Sequence, residues 1–405
     1  MLTTVQTWVD RAAHPFSRAS ADARAHERLR FYALLGLALL KLFNLFGSIW
    51  DIQWHASIGR DSNFIPPHIV AAGGFVGALG LALAVICYET YLDRRGVRLP
   101  GVKRFGGITV APAFMAAALF LLAGVFLTFL DDQWHRAFGL DVTLWSPPHL
   151  AIGLVMSGVD FSLMAGLFVS AKRQGLSLAG QAWRGMYFWG FVLLGAFMFE
   201  SANYWTSQAF IFGYQNGGTG LLGLLFPLLM GLLYPLGLVT TLRLSKRYWI
   251  VAPIFALTLI LQYTGTGLAA VGFAIMRPVS IIDEYVRLNP TTTVALARQF
   301  ASQNGMSGLI GLQQAWVQWL SGIPLLLVAL LSLAPWARGR WLVAAPLYSL
   351  SLVLTCYLWF QRLPVMARYE VTGIDVALAA LLSAAGGLLL GWLGSKLAGA
   401  IEAKT

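Results

Sequence analysis

Six residues of two types set the first question. Asp51, His55 and His68 stand in "DIQWHASIGRDSNFIPPHI" (51–69), and Asp131, His135 and His149 in "DDQWHRAFGLDVTLWSPPHL" (131–150). The chain has six histidines, and four of them occupy corresponding places in these two stretches. In each copy Asp-x-Gln-Trp-His is followed by Pro-Pro-His. Residues four apart share a helix face, so Asp51 pairs with His55 and Asp131 with His135 if the preceding helix runs through them. A proline pair suits a first helical turn, which puts His68 and His149 at the mouths of the next helices. A carboxylate and an imidazole from one helix end then meet an imidazole from the next. Two histidines and one carboxylate leave coordination positions open, as a reactive metal site requires. Such a donor set accepts copper, iron or zinc. A lone histidine or aspartate at this depth is otherwise a solvated loop residue or a helix cap, and Trp54 and Trp134 serve equally as interface aromatics. Duplication with matched spacing favours the metal.

The elements that must position these ligands are membrane helices. Of 405 residues 58% are hydrophobic and 11% charged, and mean hydropathy is +0.69. A soluble domain would carry about a quarter charged residues. Apolar runs of spanning length recur, which predicts an all-α polytopic membrane protein with about ten transmembrane helices. The expected spans are about 31–50, 68–88, 107–130, 149–171, 185–206, 220–241, 249–275, 316–335, 341–360 and 374–396. Arg94, Arg95, Lys103, Lys172, Arg173, Arg243, Lys246, Arg338 and Arg340 make every second loop basic. By the positive-inside rule both termini are cytoplasmic, and the two quoted stretches face the periplasm or exterior of a bacterial-type inner membrane. The net charge of +11 is this topology signal, not the basic face of a nucleic-acid-binding domain. Residues 1–30 read as a polar, amphipathic cytoplasmic segment, 31–172 as a duplicated four-helix metal-binding module, and 173–405 as a six-helix membrane module with outer loops. Cys87 and Cys356 build no disulfide framework.

Lys41, Asn44, Ser48, Asp51 and His55 form one polar stripe on the first span. It reads equally as a structural seam and as a proton or water path. Lys41 lies ten residues inward of Asp51, and Asp160 eleven inward of His149, so both sit about 15–17 Å below the ligands. They are expected to pair, because a lone charge at mid-membrane is costly. Arg60, Asp61 and Asp141, between the ligands, are candidates for supporting hydrogen bonds to ligand imidazoles or for plain turns. Glu200 is expected near the outer end of its span, either approaching the sites or capping the helix. The segments 277–290 and 360–375 read as outer-face loops or surface helices.

The first copy, Asp51-x3-His55-x4-Arg60-Asp61-x2-Phe64-x-Pro66-x-His68, resembles the metal-site signature in the C subunit of particulate methane and ammonia monooxygenases. That family of copper membrane monooxygenases carries Asp-x3-His-x12-His and then Asn-x3-His-x13-His. Here the order and both spacings agree, with Asp131 in the place of the asparagine, which makes the second site more anionic. The resemblance covers residues 31–172. It implies copper and an O₂-dependent hydroxylation of a small apolar substrate reaching the site from the lipid bilayer. Residue chemistry alone supports a duplicated His/Asp site, one per helical hairpin. A metal permease or accessory protein, and a noncatalytic subunit working with other membrane subunits or as a homo-oligomer, stay open as alternatives.

Overall fold

The computed structural model describes residues 15–59, 64–138, 145–178, 185–215, 218–292, 295, 299, 318–361 and 370–405. Arg60, Asp61 and Asp141 lie outside the described residues, as do most of the outer segment after residue 292 and the centre of the 360–375 loop. The chain is almost wholly helical. In order come α1 (Pro15–Ser57), α2 (Pro66–Arg94), a two-stranded hairpin of β1 (Lys103–Phe105) and β2 (Ile108–Val110), α3 (Pro112–Phe138), α4 (Pro147–Arg173), α5 (Met186–Gln215), α6 (Leu225–Ser245), α7 (Val251–Met276), α8 (Ile282–Leu288), α9 (Gly322–Leu330), α10 (Ala344–Phe360) and α11 (Gly373–Glu402).

Among the described residues, eight helices are long and apolar enough to cross a membrane, each matching a predicted span. Two predicted spans differ. The span expected over 185–206 is the 30-residue α5, whose apolar run is broken by Glu200, Ser201 and Asn203, so that it falls outside this set. At 316–335 the described chain holds two helical residues at 318–319, then the nine residues of α9 and a 3-10 turn, which together span Gly322–Leu333. At 1.5 Å per residue, nine residues reach about 14 Å, half of a bilayer core of about 30 Å. The expected span 107–130 begins late, at Pro112. Gly106 and Gly107 form the turn of a small antiparallel ladder pairing Phe105 with Ile108, and Gly106 takes the positive φ of 61° that such a turn needs.

α1 runs unbroken for 43 residues, continuing from the polar N-terminal segment into the first span, and His26, Glu27 and Arg30 are buried. Leu37, Phe114 and Leu163 of the first four helices share one cluster of buried residues with Phe191, Phe197 and Tyr348. Arg173 donates to Glu27 (3.4 Å) and to the carbonyl of Lys404 (3.1 Å). The start of α1 and the end of the chain therefore lie at the same, arginine-rich end of the bundle, opposite the two Asp/His stretches.

Close approach of α1 and α2 rests on small residues. Without a hydrophobic force between helices in lipid, association depends on backbones packing tightly. A Cβ on Gly74 would lie 2.5 Å from the Asn44 nitrogen and 2.6 Å from the Leu40 carbonyl, and Gly47 meets the backbone of Ala71 equally closely. These obstacles are main chain, which has no rotamer to yield. Gly74→Val should therefore push α2 off α1 and destabilise the protein by about 1–3 kcal/mol or more. Thermal unfolding in detergent measures this, and metal content of the first Asp/His group should fall with it.

Candidate metal centre

Each Asp/His group is assembled by one hairpin in the same way. A residue before proline is driven to extended backbone, and Ile65 (φ −66°, ψ 147°) and Ser146 (φ −70°, ψ 152°) adopt nearly identical caps ahead of Pro66-Pro67 and Pro147-Pro148. His68 and His149 follow as the third residues of α2 and α4. Asp51 and His55 come from the last turns of α1, and Asp131 and His135 from the last turns of α3.

The groups close as their spacing predicts. The His55 and His68 Nε2 atoms lie 3.4 and 3.1 Å from Asp51 Oδ1. His135 and His149 Nε2 lie 3.5 and 3.6 Å from Asp131 Oδ2. In each triad one ligand atom per residue falls within 4.8 Å of the others. Among the described residues these are the only groups of three or more His, Cys, Asp or Glu with that geometry. All six side chains are partly exposed, between 13% and 28%. Asp131 Oδ1 is buried without a hydrogen-bond partner among the described residues. The two imidazoles of each triad converge on a carboxylate, and that donor set fits a transition metal.

The two triads are neighbours. The rings of His55 and His135 stack at 13° with centroids 6.2 Å apart, a separation close to that within each triad, 6.1 Å for His55–His68 and 5.9 Å for His135–His149. The hairpins thus build one triad each, and the bundle sets the triads side by side. Their surroundings differ. His149 Nδ1 is 2.9 Å from Ser146 Oγ, which orients the ring and leaves Nε2 for a metal. The matching position in the first hairpin is Ile65, with no polar side chain. Beside the first triad, Ile281 N donates to Ile58 O (2.8 Å) and Ser280 Oγ to Ser57 O (2.6 Å), so the segment leading into α8 docks on the end of α1, although the side chains of the first triad stay the more exposed of the two sets. Trp54 is buried against Ile58, Ile65 and Phe273, whereas Trp134 packs on Phe138, itself exposed.

Below the triads, Lys41 forms an ion pair with Asp160, as their depths predict. Both are buried. Ser201 Oγ donates to Asp160 Oδ2 (2.6 Å), and Lys41 Nζ sits 4.8 Å from the Phe197 ring centroid. The stripe between this pair and the triad is a structural seam over much of its length. Asn44 Nδ2 donates to Ala71 O (3.3 Å) and Ser48 Oγ to Asn44 O (2.9 Å), so both side chains bond main chain. Glu200 is not at a helix end: it lies mid-way along α5, beside Ser201, and accepts from Gln318 Nε2 (2.9 and 3.0 Å). It belongs to the Asp160 layer, not to the triads.

Sequence reasoning missed a second polar centre at the opposite end. Glu89 accepts from Arg30 Nε (2.6 Å) and from Ala111 N (2.7 Å), and pairs with His26 Nε2 (2.9 Å). Arg30 also donates to Glu27 (2.6 Å). The signal was present: Glu89 is an acidic residue inside an apolar run, and such a residue needs a partner. No family model, curated protein or solved structure matches this chain.

The buried pair generates a test. Removing one member of a buried ion pair leaves an uncompensated charge and costs about 3–5 kcal/mol. Lys41→Met and Asp160→Ala should each lower the thermal midpoint strongly, and the double variant should lose much less than the sum of the two. Additive losses would show that the two side chains are satisfied separately.

Proposed function

We propose that this chain is a copper-binding membrane metalloenzyme that uses O₂ to hydroxylate a small apolar substrate. The observation that carries the reading is the pair of adjacent triads, Asp51/His55/His68 and Asp131/His135/His149, with ligand atoms of each within 4.8 Å. The choice of copper and of oxygenation follows the resemblance of the ligand spacing to the C subunit of the copper membrane monooxygenases. Bound copper would supply redox chemistry with O₂, for which the mixed imidazole and carboxylate donors are suited. Hydroxylation puts one oxygen atom into a C–H bond and turns the other into water, consuming two electrons and two protons from a separate reductant.

The protein's own part is to hold and to exclude. Asp51 and Asp131 anchor each metal with a negative charge and turn both imidazoles of their triad toward one point. Ser146 fixes the ring of His149. An apolar substrate has a path through the lipid: a cavity of about 260 Å³ lies between α4, α5 and α6 at the depth of Asp160, walled by Leu154, Phe161, Met198, Trp205 and Leu233. A metal permease is disfavoured by Lys41, whose ammonium would stand in the way of a cation passing inward from the triads.

We further propose ten crossings, with α5 and the segment containing α9 completing the eight apolar spans, both termini in the cytoplasm and the triads facing the periplasm. Basic residues at the end opposite the triads support this.

Metal analysis of purified, copper-loaded protein should find two metals per chain. His68→Ala should keep about one, and so should His135→Ala. Loss of all metal from either single change would point to one shared centre. Supplied with a chemical reductant and O₂, the loaded wild type should hydroxylate a short alkane, and the histidine variants should lose most of that rate. Metal binding with no substrate oxidation would instead make the chain a metal-holding subunit. Orientation is checked separately: in a Cys87→Ala background, a cysteine placed at Phe138 should react with an impermeant thiol reagent from outside intact cells.

A further inference from the structure

At the arginine-rich end of the bundle lies a cavity of about 540 Å³ that the triads do not use. It opens where four candidate spans end or begin: Pro147–Arg173 and Gly220–Ser245 finish there, and Tyr248–Met276 and Trp341–Phe360 start. Its depth is therefore that of the membrane interface. Lys172, Lys246, Arg247 and Arg338 line it, and none of its lining residues is acidic. Lys246 is neutralised from outside by Glu402. Lys172, Arg247 and Arg338 have no carboxylate partner among the described residues. Lys172 and Arg247 lean only on aromatic rings, 5.7 Å from the Phe168 centroid and 5.6 Å from that of Trp249.

Three cations converging without a counter-charge call for an anion. The walls say which kind. Trp249, Trp341 and Tyr187 are the amphipathic aromatics that settle at headgroup level, while Leu178, Leu244 and Leu331 continue the lining in apolar form. Tyr248, whose hydroxyl donates to Ala337 O (2.9 Å), ties the turn that carries Arg338 to α7 and so builds one rim of the cavity. A soluble anion would use the charges and waste the apolar wall. Basic pockets between helices on the cytoplasmic side are where anionic headgroups bind.

We propose that this cavity binds the phosphate headgroup of an anionic phospholipid, with the proximal acyl carbons along Leu178, Leu244 and Leu331. The site is independent of the triads and of the metal.

The test is lipid retention and thermal stability of the purified full chain in nanodiscs. Phosphatidylglycerol should be retained over phosphatidylcholine in native mass spectra and should raise the unfolding midpoint by about 3 °C or more. Each cation contributes on the order of a fivefold preference at a membrane surface. The Lys172→Gln/Arg247→Gln/Arg338→Gln variant should then lose the preference about a hundredfold, and Arg338→Gln alone, on an exposed turn, about fivefold. Arg98→Gln, a basic loop residue outside the cavity, should behave as wild type. Three results would overturn the proposal: equal stabilisation by phosphatidylcholine, an equal loss in Arg98→Gln, or an equal midpoint shift from inorganic phosphate or glycerol phosphate. The last would mean that a free anion is the ligand.

Discussion

The ion pair between Lys41 and Asp160 ties the first hairpin to the second. A bilayer offers no water to solvate either charge, so the two helices that carry them, α1 and α4, must be held together at that depth. Much else follows from this one contact. With α1 pinned against α4, the outer ends of both hairpins converge, and the rings of His55 and His135 come into parallel contact. Ser201 adds α5 to the same layer by donating to Asp160. The C-terminal helices therefore belong to the structure of the site, although they supply no ligand.

The two hairpins share a plan but not an environment. Both use extended caps before a proline pair, and both present the third helical residue as a ligand. The first is flanked by the chain leading into α8 and by Trp54 packing on Phe273. The second has an orienting serine, and its side chains are the less exposed of the two sets. Equal ligand sets in unequal surroundings bind with different affinity and different access to solvent, because hydrogen bonds to the ligands and local dielectric tune a metal as much as the ligands do.

How much of this was legible in the sequence depends on the range of the interaction. The convergence of each Asp/His group was readable because i and i+4 spacing and the proline pairs are local rules that burial cannot override. The Lys41–Asp160 pair was readable because depth in a membrane is a one-dimensional coordinate that residue counting gives directly. The proximity of the triads was not, since it depends on how the two hairpins pack, through α1 on α4 and α2 on α3, which no spacing encodes. The role of Glu89 was missed for a related reason: its partners His26 and Arg30 were read as part of a separate polar segment, and it is the continuity of α1 through them that brings them to Glu89. Glu200 was placed at a helix end because the apolar run falters there, yet α5 carries on to Gln215. Hydropathy counts side chains, whereas the helix persists on its backbone bonds. Arg60, Asp61 and Asp141 lie outside the described residues.

α1 acts as a rod clamped at three heights. Glu89 grips it near Arg30, Asp160 holds it at Lys41, and the tight crossing of α2 at Gly47 fixes it close to the triad. From His26 to His55 the rod measures about 44 Å, and a tilt of only 1° about one end would swing the other by ~0.8 Å. Clamps at three heights forbid that swing. Asp51 and His55 are consequently the stiff jaw of their triad, and a metal of a different radius or coordination preference has to be met by displacement elsewhere. The opposing jaw is His68, in the first turn of α2 after Pro66-Pro67 and three residues from the Gly47–Ala71 crossing. A group of side chains hung on so braced a helix would choose among ions by fit, because its spacing could not follow their bond lengths.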